Sequence, residues 1–322
     1  MHAGAIGWGA VFGFPSTVRF WPKSDITCCS QRHAIRSLAC RVELYKYTAM
    51  AKLSAIEWTH HTFNPWWGCV KVSPACTHCY AESLARRFDG GLWGRSASRR
   101  FFGEKYWREP IRWNAEARST GVRRRVFCAS MADVFEPRPD LNPWRHKLWD
   151  LIEQTPSLDW LLLTKRPGQI KRLYPWVKQP KANVWLGTTV ESQLWADARI
   201  ARLAAVDAAV RFLSCEPLLG AVDIEEWLAS RKLDWVIAGG ESGAGARPTH
   251  PNWIRSLRDQ CARNKVPFHF KQWGHWAPSA RGDDSRRVVE LRDEYGEIET
   301  LSWRPKKSSG RTLDGRTWDG YP

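Results

Sequence analysis

From about residue 55 onward, short apolar runs alternate with segments in which apolar residues recur every three or four positions. The intervening segments, such as QLWADARIARLAAV and PNWIRSLRDQCARNK, predict crossover helices. Six or seven strand–helix units in about 220 residues predict an α/β fold, namely a TIM-like full or partial (β/α) barrel of parallel strands. The runs predict strands buried on both faces of a parallel sheet and read AIEWTHHTF (55–63), RVFCAS (125–130), DWLLLT (159–164), NVWLGTT (183–189), VRFLSCEP (210–217), DWVIAGGES (234–242) and VPFHFKQWG (266–274).

The same pattern predicts how the chain is organised. Residues without helical or strand periodicity precede Met50, and they predict a poorly ordered extension or a small helical cap. The polar C-terminal residues are expected to pack on the barrel through Trp303 and Trp318, without forming an independent domain. The predicted regions are the extension at 1–49, the barrel at 50–274 with a basic insertion at about 86–125, and the C-terminal tail at 275–322.

Composition narrows the possible environments and partners. No run of about 18 apolar residues occurs, so the sequence predicts no membrane-spanning helix. The apolar run at 3–14 lacks a preceding basic segment and a clear cleavage site, which argues against secretion. The nine cysteines are unevenly spread and suggest no disulfide framework, so we expect a reducing cytoplasm. A net charge of +16 predicts a surface that attracts nucleotides or nucleic acid.

The strongest local signal is the stretch NPWWGCVKVSPACTHCYAE at 64–82, which carries Cys69, Cys76 and Cys79 after the first predicted strand. Three cysteines in one tight loop favour a metal site over a redox pair or packed thiols. Zinc would need a fourth ligand, such as His78, His60 or His61. His78 lies between Cys76 and Cys79, so its side chain should point away from a centre that both cysteines face. A 4Fe-4S cluster with one iron left open is therefore the first hypothesis, with zinc as the alternative.

Polar side chains collect at the carboxyl ends of the predicted strands, where a barrel builds its active site. Each alone is also compatible with an ordinary loop residue or a helix cap. GGESGAG at 239–245 is either a phosphate-binding turn or a tight strand-to-helix connection. The candidate catalytic residues are Asp133, Lys165, Glu191 and Glu241, and the candidate cofactor-binding residues are Ser130, Asp133, Thr189, Glu191, Gly239 and Gly240.

Several sequence motifs in this chain resemble those of two known protein families. NPxxGC followed by CxxCYA resembles the cluster loop of radical S-adenosylmethionine (SAM) enzymes, particularly the spore-photoproduct-lyase-like branch, and SMADVFEP and LLLTKRP are similar to its next strand ends. The stretch 56–322 resembles more closely the bacteriophage-associated three-Cys-motif family, through IEWTHHTFNPWWGC, SPACTHCYAE, RFLSCEPLLG, DWVIAGGESGAGARP and GRTWDGYP. The departures from radical SAM enzymes are the longer spacing between Cys69 and Cys76, His78 in place of an aromatic residue, and the Gly-Gly-Glu segment on a later strand.

The radical SAM resemblance implies a set of roles. The three cysteines would hold three irons, and SAM would chelate the fourth. One electron from an external donor would then cleave SAM reductively and give a deoxyadenosyl radical. The implied contacts are Ser130 and Asp133 with the methionine amine, Thr189 and Glu191 with the ribose, Gly239 and Gly240 with the adenosine, and Lys165 and Arg166 with the SAM carboxylate or a substrate phosphate. The second resemblance implies a phage or mobile-element protein with a partner protein of the same origin.

Between Arg86 and Arg125 twelve Arg or Lys residues are interleaved with aromatic residues. This composition is typical of segments that bind DNA or RNA, but it also suits a solvated insertion whose aromatics pack on the barrel. Three functions therefore stay open. They are an iron-sulfur enzyme of radical SAM type that acts on nucleic acid or another phosphate-bearing substrate, a non-catalytic metal-stabilised nucleic-acid-binding phage protein, and a hydrolase or transferase on a metal-stapled barrel that uses Asp133, Glu191, Glu216 and Glu241.

Overall fold

The computed structural model describes residue 54 and residues 56–88, 90–279 and 285–322. The predicted extension at 1–49 lies outside the described residues. Seven parallel strands form the main sheet in sequential order. They are β1 (His61–Phe63), β2 (Arg124–Cys128), β3 (Leu158–Thr164), β4 (Val184–Thr189), β5 (Val210–Cys215), β6 (Trp235–Gly239) and β7 (Phe268–Gln272). Each predicted apolar run therefore contains an observed strand.

Helices connect the strands in the manner that parallel pairing requires. They are α1 (Tyr80–Ala85), α2 (Glu104–Trp107), α3 (Glu109–Thr120), α4 (Asn142–Gln154), α5 (Ile170–Leu173), α6 (Gln193–Ala204), α7 (Glu225–Ala229) and α8 (Pro251–Arg263). The start of α8 shows how local sequence sets a boundary. Pro251 occupies its first turn, and His250 Nδ1 accepts a hydrogen bond of 3.1 Å from the backbone N–H of Asn252. No helix in the described part of the chain is long and apolar enough to span a bilayer.

The sheet curves into a half-barrel, so the prediction of a partial barrel is confirmed and that of a full TIM barrel is wrong. A closed barrel of this type needs eight strands, whereas this sheet has seven and ends at β1 and β7. The free edge of β7 pairs instead with the C-terminus. Phe270 N–H donates to Trp318 O, and Gly320 N–H donates to Phe268 O, both at 2.9 Å. The C-terminal residues thus protect an edge that would otherwise be open.

Side chains alternate between the two faces of the sheet. The outer face packs against the helices through the largest apolar cluster of the molecule. The inner face carries a smaller cluster of bulky side chains, namely Trp58, Phe127, Leu161, Phe212, Trp235 and Ile237. Gly187 makes room for this cluster, because a Cβ there would lie 2.4 Å from the Phe212 ring.

The region at 275–322 contains structure that the sequence did not predict. It forms a three-stranded antiparallel sheet from β8 (Trp276–Pro278), β9 (Val288–Arg292) and β10 (Ile298–Trp303), in the order β8-β10-β9, followed by α9 (Lys306–Ser309). Trp303 packs edge-on against Trp276, with ring centroids 5.2 Å apart. Trp318 contacts Phe268 of the half-barrel.

Candidate functional site

The loops that follow the parallel strands enclose a cavity of about 440 Å³ at the carboxyl end of the half-barrel. Of the residues expected to form the site, those that line this cavity are Cys69, Cys76, Cys79, Ser130, Asp133, Lys165, Thr189, Gly240 and Glu241. Glu191 and Gly239 are not among the lining residues. Loops distant in sequence therefore converge, as expected where parallel strands end together.

The loop between β1 and α1, residues 64–79, is the cysteine loop. At its start the backbone must pass close to other chain segments, and Gly68 allows this with a φ of +113°, because a Cβ there would lie 2.4 Å from Leu92 O. Gly68 N–H donates to Met131 O at 3.0 Å, which ties the loop to the end of β2. A short 3₁₀ turn at Pro74–Cys76 precedes α1. All three cysteines are free thiols of intermediate burial.

Cationic groups lie beside these thiols. Arg166 Nη1 lies 3.7 Å from Cys69 Sγ. Burial and the charge of Asp133 raise the pKa of Cys69 to about 12, and the nearby Arg166 partly opposes that shift. Burial also raises the pKa of Cys79, against the opposing charge of Lys165. Metal binding at such thiols must displace protons, so the cations favour the thiolate form that a metal requires.

The arrangement of the three thiols bears on both predicted kinds of metal centre, a single zinc ion and a 4Fe-4S cluster. Within the described residues, no three Cys, His, Asp or Glu side chains converge on a single-ion position. A 4Fe-4S cluster distributes its thiolates over separate irons and does not need that convergence. Three free thiols that face one cavity beside cations suit the donor set of such a cluster.

The first of three buried carboxylate–arginine pairs joins the loops after β1, β2 and β3. Asp133 Oδ2 accepts from Arg166 Nη1 at 2.7 Å, and Asp133 Oδ1 accepts from Thr164 Oγ1 at 2.7 Å. Arg166 Nη2 also donates to the backbone oxygen of Val70 at 2.7 Å. Because Val70 follows Cys69, this pair holds the first cysteine of the loop in place.

The second pair holds the middle of the cysteine loop from the end of β6. Glu241 accepts two hydrogen bonds from the Arg247 guanidinium, at 2.6 and 2.8 Å, and one from the Arg247 backbone at 2.8 Å. Arg247 Nη2 also donates to Pro74 O at 3.0 Å. His78 Nδ1 lies 3.3 Å from Glu241 Oε2. Burial alone would raise the pKa of Glu241, but the hydrogen bonds from Arg247 outweigh it and lower that pKa.

The third pair lies beneath the cysteine loop and is almost wholly buried. Glu191 Oε2 accepts from Arg199 Nη1 at 2.7 Å, and both side chains are 1% exposed. Glu191 Oε1 accepts from the backbone N–H of Ala75 at 3.4 Å. Arg199 is close enough to Cys76 for their charges to interact.

These pairs give Asp133, Glu191 and Glu241 a common structural role. Each carboxylate binds an arginine, and each pair contacts the backbone of the cysteine loop at Val70, Ala75 or Pro74. Their oxygens are therefore engaged in positioning the loop, whereas the sequence suggested free site acids. A buried carboxylate whose oxygens are engaged by a guanidinium is not free to act as a general acid or base.

Two further predicted contacts have a packing explanation. Ser130 Oγ lies 3.2 Å from Asn64 Nδ2, and Asn64 Oδ1 also accepts from the Met131 backbone at 2.7 Å. Gly240 was expected to let an adenosine approach, but a Cβ there would lie 1.9 Å from Trp273 O. The absence of a side chain at Gly240 thus serves the close contact between the ends of β6 and β7.

Family comparison agrees with the extent of the fold. A family model described as protein of unknown function (DUF5131) matches residues 53–322, the stretch that carries the half-barrel and the cysteine loop. The chain belongs to this DUF5131 family. No curated protein and no solved structure matches it.

Lysines distinguish the remaining wall of the cavity in this DUF5131 protein. Lys271 Nζ binds both oxygens of Glu216, at 2.7 and 2.8 Å. Lys165 and Lys306 also line the cavity, and their ammonium groups have no hydrogen-bond or ion-pair partner within the described ranges. Both ammonium groups are therefore free of direct partners and available to a ligand.

The basic segment at 86–125 presents fewer aromatic surfaces than its composition suggested. Tyr106, Trp107 and Trp113 are buried, and Phe102 packs against the core. Phe101, at 36% exposure, stacks on Trp144 with ring centroids 4.4 Å apart. These aromatics pack on the half-barrel, so they do not form an open platform for stacked bases.

Several site residues escaped the sequence analysis. Arg199 and Arg247 lie far from their cysteine-loop contacts along the chain, and Lys306 belongs to the C-terminal region. Trp58 lines the cavity floor although its sequence signal was only that of a strand residue. Asn64 could have been found from its place before Pro65 in the cysteine stretch, because an amide there can bridge two backbone segments.

Proposed function

We propose that Cys69, Cys76 and Cys79 hold a 4Fe-4S cluster with one iron free of protein ligands, and that the chain is an enzyme of radical-SAM-like type. The observation that carries this proposal is the gathering of three free thiols on one cavity, each within electrostatic range of a cation. Arg166 Nη1 lies 3.7 Å from Cys69 Sγ, and the charges of Arg199 and Lys165 act on Cys76 and Cys79. Such cations would compensate the negative charge of a cluster and its three thiolates.

The chain's own residues would bind the ligand and protect the reaction. An iron-sulfur cluster with an open iron supplies one-electron reduction of a ligand bound there. Lys165, which has no hydrogen-bond or ion-pair partner among the residues described, would bind the carboxylate of SAM or the phosphate of a substrate. Trp58, Phe127 and Leu163 give the cavity an apolar floor that excludes water. The three carboxylate–arginine pairs would hold the cysteine loop in place while an external donor transfers an electron to the cluster.

The alternatives are less well supported by the contacts. A hydrolase or transferase that uses Asp133, Glu191, Glu216 and Glu241 would need free carboxylates, and all four are paired with cations. A zinc site would need a fourth ligand, and the Nδ1 atom of His78 faces Glu241. A phage or mobile-element origin and a partner protein of that origin rest on sequence resemblance alone.

Nucleic acid as a substrate or partner is a further part of the proposal. It rests on the net charge of +16 and on exposed cations of the basic segment, such as Arg87 and Lys105. Binding of a single-stranded oligonucleotide through this segment should weaken steeply as salt rises. Salt-independent binding, or none, would remove nucleic acid from the account.

Anaerobic reconstitution with iron and sulfide tests the cluster. We expect the reconstituted protein to contain about four irons per chain and to absorb broadly at about 400 nm, as a 4Fe-4S cluster does. One zinc per chain without colour would support the metal-stabilised alternative. A colourless, metal-free protein that stays folded would refute both metal proposals.

A further inference from the structure

We infer that the cavity binds one aromatic anion of mononucleotide size, with its ring on the apolar floor and its phosphate at Lys306 and Lys165. This inference rests on the proposed function in one respect, that the same cavity is the reaction site. It names the substrate class, and the binding step itself requires no cluster.

The shape and lining of the cavity give the size and the aromatic part. Its volume of about 440 Å³ lies at the lower end of the range for small-ligand sites and excludes a duplex. Ile56, Trp58, Phe127 and Leu163 provide its apolar surface. Trp58 and Phe127 are only 2% and 6% exposed, so they present an apolar wall on which a planar ring can lie, without an open platform for several stacked bases.

The charged side chains that line the cavity indicate that the ligand is an anion. Each acid that faces the cavity is already paired, Asp133 with Arg166, Glu216 with Lys271 and Glu241 with Arg247. Lys165 and Lys306 have no direct hydrogen-bond or ion-pair partner among the described residues, although Glu216 and Glu57 are close enough to Lys306 for their charges to act on it. Desolvation and the charge of Lys271 lower the pKa of Lys306 against the opposing charges of Glu216 and Glu57, and a bound phosphate would add to that opposition. The ligand that balances this cavity is therefore negatively charged.

Two buried polar atoms point the same way. Trp58 and Thr189 line the cavity, and Trp58 Nε1 and Thr189 Oγ1 have no hydrogen-bond partner within the described ranges. Both residues are nearly inaccessible, at 2% and 1% exposure. Buried donors are almost always satisfied in folded proteins, so unsatisfied ones at a cavity wall suit a ligand with acceptor atoms. A nucleotide base and ribose carry such acceptors.

The nucleotide could be free or part of a single strand, and calorimetric titration distinguishes these sources. The probes are adenosine 5′-monophosphate (AMP), adenosine, inorganic phosphate, SAM and a short single-stranded oligoadenylate. We expect AMP to bind more tightly than adenosine or phosphate alone, because it uses both the floor and the lysines. Tighter binding of the oligoadenylate than of AMP would identify the strand as the source, provided that binding still depends on Lys306.

Variants test the two lysines. Lys306→Ala and Lys165→Ala should each weaken AMP binding by about tenfold or more, the loss of one charge-assisted hydrogen bond. Lys307→Ala is the matched control, because Lys307 is exposed on the same helix and does not line the cavity. Circular dichroism would verify that each variant is folded.

A triple variant separates this inference from the cluster proposal. In Cys69→Ser/Cys76→Ser/Cys79→Ser protein, AMP binding that still depends on Lys306 supports the inference even if reconstitution yields no cluster. AMP binding no tighter than that of adenosine, or equal affinity in the wild type and both lysine variants, would overturn it. Binding of SAM without AMP would assign the cavity to the cofactor and would also overturn the inference.

Discussion

Arg166 Nη1 lies 3.7 Å from Cys69 Sγ and joins the first cysteine of the loop to the end of β3. The same atom binds Asp133 at 2.7 Å, so the charge beside the thiol is itself fixed by a buried carboxylate. This arrangement connects loop positioning with thiol electrostatics. A cation at this distance stabilises the thiolate, while its carboxylate partner prevents it from moving away.

The cysteine assignment predicts selective iron loss. Cys76→Ala and Cys79→Ala should each lower the iron retained after anaerobic reconstitution by more than about tenfold, since each removes one cluster ligand. Cys215→Ala and Cys261→Ala are the controls, because both residues are buried in the core and do not line the cavity. Colorimetric iron determination measures the outcome, and equal loss in all four variants would contradict the assignment.

Breaking the pair at the first cysteine should destabilise the protein. Asp133→Asn leaves Arg166 buried without its counter-charge and should lower the free energy of unfolding by about 3 kcal/mol. Glu109→Gln removes the partner of Arg112, whose side chain is 67% exposed, and should change it by less than about 1 kcal/mol. Urea denaturation measures both. Similar effects of the two substitutions on the free energy of unfolding would argue against this role.

Gly240 is predicted to be a packing requirement of the sheet ends. In Gly240→Ala the new methyl group would collide with Trp273 O, so we expect a loss of about 2 kcal/mol or more in the free energy of unfolding. Gly103→Ala places its Cβ in open space and should stay within about 0.5 kcal/mol. Thermal unfolding of both variants provides the test. Full stability of Gly240→Ala would instead support a ligand-contact role.

Histidine protonation should make the fold less stable in mild acid. Desolvation, followed by the charge of Arg311, lowers the pKa of His269 to about 4, although Asp319 opposes the shift and Lys271 and Arg125 add to it. Desolvation and the charges of Arg125, Arg124 and His61 likewise lower the pKa of His60 to about 4.

Because the folded pKa lies below the unfolded value of about 6.5, the stability from each histidine is present above that pH and is lost as pH falls toward 4. His269 alone contributes up to about 1.4 kcal/mol per pH unit in this window. Urea denaturation at several pH values between about pH 7 and about pH 4.5 gives the free energy of unfolding as a function of pH. This free energy should fall less steeply with decreasing pH for His269→Gln than for the wild type. Equal slopes would contradict the prediction.

The sequence alone determined those features whose signals are local. Apolar runs flanked by turn residues predicted every strand of the half-barrel, because a strand buried on both faces must be apolar throughout. The spacing of Cys69, Cys76 and Cys79 marked the loop, and the order of strands placed the polar residues at one edge. The sequence left open whether the barrel closes, and the tertiary structure shows that the sheet stops at seven strands, with β1 and β7 as its edges.

Only the tertiary structure decided which charges are paired. Arg199 and Arg247 bind carboxylates that hold the cysteine loop, and Lys306 enters the cavity from the C-terminal region. Arg199 and Arg247 lie only eight and six residues from their own carboxylates, but the contacts of these pairs with the cysteine loop join residues distant in sequence. No local pattern distinguishes a carboxylate bound to an arginine from a free one. The same holds for Trp107 and Trp113. The composition of the segment that contains them is compatible with base stacking, but the structure shows both side chains buried in the core. Burial and partner choice depend on the packing of the whole chain, and they determine which groups remain available for chemistry.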